Sequence, residues 1–233
     1  MTADEFRAEL ESELAWRQEE LAFFKNQMNY ILDEKDQDRY RKSLVLILYS
    51  HMEGYVKIAL LTYIHYINGL NLKRKDVIPG LMAASMNTEF ADYENTQRKS
   101  KDKRLHKQEL SDDAELHLFS RRVEFLENIE GFREEILNIK DSAVNTESNL
   151  RYTVLMKNLH QLGLPLNLFQ ECEGVINELV NRRNPIAHGE FLAGVSQKDF
   201  SNWESKVNRV MTDIARLLYD YAKHQRYLRN PPE

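Results

Sequence analysis

"LVLILYSHMEGYVKIALLTYIHYI", residues 44–67, is the longest apolar run in the chain, and its reading decides the fold. Spanning a membrane takes about 20 consecutive apolar residues, and here Ser50, His51, Glu53, Lys57 and His65 interrupt the run. A charged side chain near a bilayer centre costs about 2.5 to 3.5 kcal/mol on insertion scales, and Glu53 and Lys57 are two of them. The run therefore reads as a core helix rather than a span. It is expected within a helix over residues 38–68 that is apolar on most sides and hence central, with a left-handed cap at Gly69, where the missing Cβ makes that conformation cheap.

The flanks carry the same helical period. Phe6, Leu10, Leu14, Leu21, Phe24, Met28 and Ile31 recur at helical spacing, which predicts a helix over residues 3–32. Acidic residues in SDDAE, 111–115, face the positive end of a predicted helix running to about residue 139, with Gly131 as a weak point. A fourth helix is expected from 145–147 to Leu162, closed by Gly163 and Pro165, and a fifth from Leu166 to Arg183. A last helix, opened by Ser196, covers 198–227 with Phe200, Trp203, Val207, Val210, Ile214 and Leu218 on one face. Eight Gly, five Pro and no strand-like alternation point to an all-α chain. With 233 residues, 42% of them hydrophobic, one domain over 1–233 is expected. The polar stretch around 70–110 reads as a flexible insertion, with Pro79 and Gly80 inside it. No internal repeat is present.

A net charge of -5 offers no broad positive field for nucleic acid. It leaves room for a local basic site, since charge acts strongly on a phosphate only within roughly 8 to 10 Å. Cys172 is the single cysteine, so disulfides within the chain and cysteine-based zinc sites are excluded. That fits a reducing compartment. The N-terminal MTADEFRAELESELAWRQEE has no apolar signal core, and a cytoplasmic, non-membrane protein is expected.

RRNPIAHGE, residues 182–190, holds the most reactive-looking pair. In an unbroken helix, Arg183 and His188 stand about 140° apart round the axis. Pro185 disfavours the helical conformation at Asn184 and removes a donor, so the helix is expected to end or kink there, turning both side chains toward one place. Gly189 then allows a tight exit, and Glu190 faces solvent or holds the imidazole. Arginine and histidine suit RNA cleavage by 2'-hydroxyl attack: the planar guanidinium pairs with phosphoryl oxygens, and the imidazole moves the proton without metal or cofactor. Taken alone, the bare spacing is weak and fits a capping histidine beside a surface arginine better.

RNPIAHGE after the helical INELVNR resembles the signature of the HEPN superfamily. The stretch 50–57, with Ser50, Glu53, Gly54, Tyr55, Val56 and Lys57, resembles the second helix of a prokaryotic HEPN subgroup associated with toxin-antitoxin and phage-defence systems, and TESNLRYTVLMKNLHQLGLP, residues 146–165, has the same look. The resemblance reaches from about residue 39 to 190. It implies a bundle of long antiparallel helices acting as a metal-independent endoribonuclease toxin, usually a homodimer in which two Arg/His pairs meet at a two-fold axis, with RNA as substrate and an antitoxin or defence protein as partner. Arg183 and His188 take the catalytic places and Asn184 the polar one. Glu53 takes a supporting place that positions the arginine; an i,i+4 pair with Lys57 is the plainer reading. One HEPN class carries an adenylylated tyrosine two places after the histidine; Glu190 stands there, so that control is not carried over. A catalytically silent dimer binding RNA, a nucleotide or a protein is the alternative, and a structural adaptor a third.

The remaining candidates are weaker. Arg182 is placed to support a phosphate contact or to be a solvated helix-end side chain. Arg98, Lys99, Lys101, Lys103, Arg104 and Lys107 give six basic residues against one aspartate, which fits an RNA backbone or a solvated loop. Tyr49, Tyr55, Tyr63 and Tyr66 fit core or dimer contacts better than base stacking. The histidines show no paired metal spacing.

Overall fold

Residues 1–190 and 193–232 are described by a computed structural model, in which nine α-helices lie among the described residues. Thr2 opens α1 (Ala3–Gln27) with a capping box closed by Glu5, and Asp33 opens α2 (Glu34–Gly69) by accepting from the Asp36 N–H. Such caps satisfy backbone donors that a helix start leaves orphaned, at about 1 kcal/mol each. The chain continues through α3 (Pro79–Ser85), α4 (Asn87–Glu94), α5 (Lys103–His106), α6 (Ala114–Glu134), α7 (Tyr152–Gln161), α8 (Glu173–Ala187) and α9 (Gln197–Lys223). Asp113 caps α6 and Ser196 caps α9, as expected. Bridges between Lys73 and Ile136 and between Val77 and Leu228 are the extent of strand-like pairing among the described residues.

The central helix is α2, and the fold is all-α. Leu44, Leu48, Tyr49, Met52, Tyr55, Leu60, Tyr63 and Ile64 are all buried on it. By length and composition α2 would cross a membrane, but more than half of its most apolar stretch lies inside the protein. It is wrapped by α1, α8 and α9. Tyr55 and Tyr40 donate to the carbonyls of Leu10 and Phe24, so α1 runs antiparallel to α2. Tyr219 bonds Asp4 and Lys25 pairs with Glu204, so α9 runs antiparallel to α1 and parallel to α2. Buried Arg41 ties the start of α2 to the entry of α9 through the Val195 carbonyl, Gln197 and Asp38.

Several predicted boundaries are corrected. Gly69 remains helical, and the left-handed residue is Asn71, φ 51°, a side chain that tolerates that region. Helix α6 stops at Glu134 because the following backbone has better partners: Glu135 O accepts from Arg74 N, Leu137 N donates to Leu72 O, and Ile139 N donates to Asn68 Oδ1. Glu147 and Ser148 are both left-handed, φ 51° and 62°, which delays α7 to Tyr152. A 3-10 turn over Gln170–Cys172 precedes α8. Residues 70–110 contain three short helices, of which α3 packs on α7 and α4 on α6, with Phe125 stacked on Phe90 and buried Arg74 bonded to Ser85, Glu89 and Glu135.

The buried tyrosines set the alkaline limit of the fold. Burial pushes the Tyr49 hydroxyl up to about 12, and pushes Tyr55 and Tyr63 in the same direction. An unfolded tyrosine ionises near 10, so the native state keeps protons that the unfolded chain releases. Their contribution is complete below pH 10 and is lost as pH rises through the native values. Unfolding free energy measured in urea is therefore expected to fall steadily above pH 10; a flat profile to pH 12 would contradict this account.

Candidate functional site

The predicted helix break is absent. Pro185 lies inside the last turn of α8, Asn184 remains helical, and His188 is the cap. The proline forfeits one hydrogen bond, to the Asn181 carbonyl, and that loss is small so near the end. The exit is the expected tight one: Gly189, φ 73°, donates to Ile186 O, and Glu190 N donates to Pro185 O, a Schellman closure. Arg183 and His188 therefore leave the backbone about 140° apart. A bent main chain does not bring them to one place.

The arginine side chain narrows the gap. Its Nη1 donates to Asn184 Oδ1 at 2.8 Å, and its guanidinium carbon lies 4.6 Å from the centre of the Tyr49 ring on α2. Helical geometry places Asn177, Asn181, Asn184 and His188 within about 60° of one another on α8. Arg183 thus leans back toward the face that ends in His188. Three of these positions hold partners: Asn177 accepts from Tyr152 N at 3.1 Å, Asn181 from Arg151 Nη2 at 3.0 Å, and Asn184 from Arg183. His188 is exposed, and no hydrogen bond to its imidazole forms among the described residues. Glu190 and Arg182 are exposed.

Tyr49 is the floor of this site. It is fully buried, and its hydroxyl oxygen accepts from the Leu150 N–H at 2.8 Å, docking the turn that leads into α7. Burial raises its pKa most; the Leu150 N–H opposes the shift, the Glu53 carboxylate adds to it, and Arg183 opposes it again. Glu53 therefore acts on the arginine's platform. No Glu53–Lys57 ion pair forms among the described residues, and Lys57 and Ser50 are exposed. The rest of the Glu-Gly-aromatic stretch faces α1: Arg17 lies over Gly54, against the Trp16 and Tyr55 rings, and His51 packs edge-on to Trp16 near Glu20. Sequence reasoning assigned Tyr49 to core or dimer contacts and missed its place under Arg183. The readable signal was its position one helical turn before Glu53.

The basic run is folded onto α6, away from this site. Arg98 pairs with Asp92 and Glu124, Lys99 with Asp112, and Arg104 with Asp102, while Lys101, Lys103 and Lys107 are exposed. Ser100 and Leu105 are buried beneath it, and the His106 and His117 rings bond the backbone of Ser100. Among the described residues no group of three His, Cys, Asp or Glu side chains is arranged to hold a metal. Cys172 is buried, which raises its thiol pKa.

A family model described as RiboL-PSP-HEPN matches residues 12–220, a span that includes α2, Arg183 and His188. No curated protein and no solved structure matches the chain.

Replacing Tyr49 by Phe keeps the ring under Arg183 but leaves the Leu150 N–H without its acceptor, a loss of roughly 1 to 3 kcal/mol. Tyr49→Leu removes the ring as well. Urea unfolding should show Tyr49→Phe destabilised by that amount and Tyr49→Leu by more; an unchanged midpoint for Tyr49→Phe would mean that the hydroxyl does not hold the turn.

Proposed function

The chain belongs to the RiboL-PSP-HEPN family, and from that premise we propose that it is a metal-independent endoribonuclease. The observation that carries this reading is the state of Arg183. Its guanidinium rests on an aromatic ring and a neutral amide, with no carboxylate at ion-pair distance among the described residues. It is held in place and its charge is left for an anion.

In the proposed reaction a ribose 2'-hydroxyl attacks the adjacent phosphorus as one imidazole takes its proton. Negative charge gathers on the non-bridging oxygens, where Arg183 pairs with it. The bond from phosphorus to the 5'-oxygen breaks, and an imidazolium gives that oxygen a proton. The products are a 2',3'-cyclic phosphate and a 5'-hydroxyl. Base and acid each call for a histidine and the motif of one chain supplies His188 alone, so the active form is a two-fold dimer in which both α8 ends contribute. Asn184 orients Arg183, and Glu53 acts through Tyr49. Such an activity fits the toxin of a toxin-antitoxin or phage-defence system, restrained by a partner protein.

One observation favours a second reading. Among the described residues no group orients the His188 imidazole, which also suits a catalytically silent dimer that binds RNA, a nucleotide or a protein. The two separate in one assay with mixed RNA in EDTA. Cleavage to cyclic-phosphate ends is expected, reduced about 100-fold or more by His188→Ala and by Arg183→Ala, from a species that sediments as a dimer. RNA left intact yet bound equally by wild type and His188→Ala supports the silent module instead. Growth arrest on expression, relieved by Arg183→Ala, is an independent expectation.

A further inference from the structure

Arginines in this protein are mostly neutralised by carboxylates. Arg17 pairs with Glu13, Arg41 with Asp38, Arg74 with Glu89, Arg98 with Asp92, Arg104 with Asp102 and Arg209 with Glu171. Buried Arg121 donates to the Tyr93 and Arg98 carbonyls. Of the arginines without a carboxylate among the described residues, two half-buried ones are fixed by side-chain amides. Arg183 donates to Asn184 and Arg151 to Asn181, and among the described residues neither has a carboxylate at ion-pair distance.

These two arginines are neighbours by construction. Leu150 N, one residue before Arg151, is bonded to the hydroxyl of the same Tyr49 whose ring carries Arg183. Tyr152 N, one residue after, is bonded to Asn177 of α8. The backbone of Arg151 is therefore pinned on both sides against α2 and α8, and its side chain is half-buried where it meets Asn181. Asn181 and Asn184 lie about 4.5 Å apart along the helix axis, and His188 about 6 Å beyond Asn184, on the same face. An amide oxygen fixes a guanidinium by one hydrogen bond and leaves its charge uncancelled, with donors still available to phosphate oxygens.

We infer that Arg151 is a second phosphate-binding residue, contacting the RNA backbone at the phosphate next to the one cleaved, with Asn181 as its positioning residue. This rests on the ribonuclease reading above. The spacing of the two asparagines sets the guanidiniums one step apart along the stripe, so Arg183 serves the reacting phosphate and Arg151 the strand leading away from it. Arg151 therefore contributes to substrate binding in ground and transition state alike, which raises KM on its loss and leaves kcat nearly in place.

The test uses the full chain and a single-stranded RNA oligonucleotide. Arg151→Gln is expected to raise KM about 10-fold, the loss of one charge-assisted contact, with kcat within about twofold. Arg151→Lys, which keeps the charge, recovers part of the loss. In a His188→Ala background, where cleavage is reduced about 100-fold or more, Arg151→Gln should weaken binding of the same oligonucleotide to the same degree and make its salt dependence shallower by about 0.7 in logarithmic slope, the single-strand value for one phosphate. Unchanged KM and unchanged binding overturn the assignment while leaving ribonuclease activity standing. A loss confined to kcat also overturns it, because it would place Arg151 at the reacting phosphate or behind Arg183. If wild-type protein cleaves nothing, the ribonuclease reading fails and the binding arm alone decides whether Arg151 holds an RNA backbone.

Discussion

A helix with apolar residues round nearly its whole circumference has to be wrapped, and wrapping α2 organises the rest of this protein. Burial of its tyrosines is worth more than that of aliphatic side chains of similar length because each brings a large ring, yet each also brings a hydroxyl that needs a partner. Tyr40, Tyr49 and Tyr55 meet that need with backbone groups of other segments: the Phe24 carbonyl, the Leu150 N–H and the Leu10 carbonyl. The apolar contacts bring the elements together, and these directional bonds set where along α2 each one sits. Register between α1, α2 and the turn before α7 is thereby specified by three side chains on a single helix.

That registration builds the candidate site. Tyr49 receives Leu150 at its hydroxyl and Arg183 on its ring face, so one buried side chain fixes the turn into α7 against the end of α8. The asparagine stripe on α8 completes the seam by accepting from Tyr152, Arg151 and Arg183 in succession. Choice of partner separates structural from available charge. Buried Arg41 and Arg74 are held by carboxylates as well as neutral groups, and their charge is consumed in joining segments. Arg151 and Arg183 are held by neutral amides. In a chain with a net charge of -5, two guanidiniums without carboxylates at one seam make a local cationic spot that the overall balance conceals.

The two faces of the Glu-Gly-aromatic stretch have different work. Gly54, Tyr55 and His51 receive Arg17 and Trp16 from α1, whereas Tyr49 and Glu53 face the α8 side. A short stretch of α2 therefore holds the first helix and floors the arginine site at once. The segment carrying α3 to α6 has its own polar anchors, with Arg74 gathering Ser85, Glu89 and Glu135, and Arg121 gathering the carbonyls of Tyr93 and Arg98. It draws the basic run onto α6, where three of its six cations meet carboxylates.

By itself the sequence determined whatever depends on local period and local capping: an all-α chain, α2 at its centre, caps at Asp113 and Ser196, the turn at Gly189, and Arg183 with His188 as the residues to watch. Such features need only neighbours within a few positions, and those are visible in a linear string. Tertiary structure decided the rest. Pro185 stays helical because the Schellman closure just beyond it satisfies the end of α8; Asn71 takes the left-handed place expected of Gly69; and two left-handed residues at 147 and 148 hold off α7 so that Leu150 reaches Tyr49. The seating of Arg183 on Tyr49, and of Arg151 on Asn181, joins residues 134 and 30 positions apart. No local propensity encodes such pairings, because the energy that selects them comes from burying α2 and satisfying the hydroxyls of Tyr40, Tyr49 and Tyr55 together.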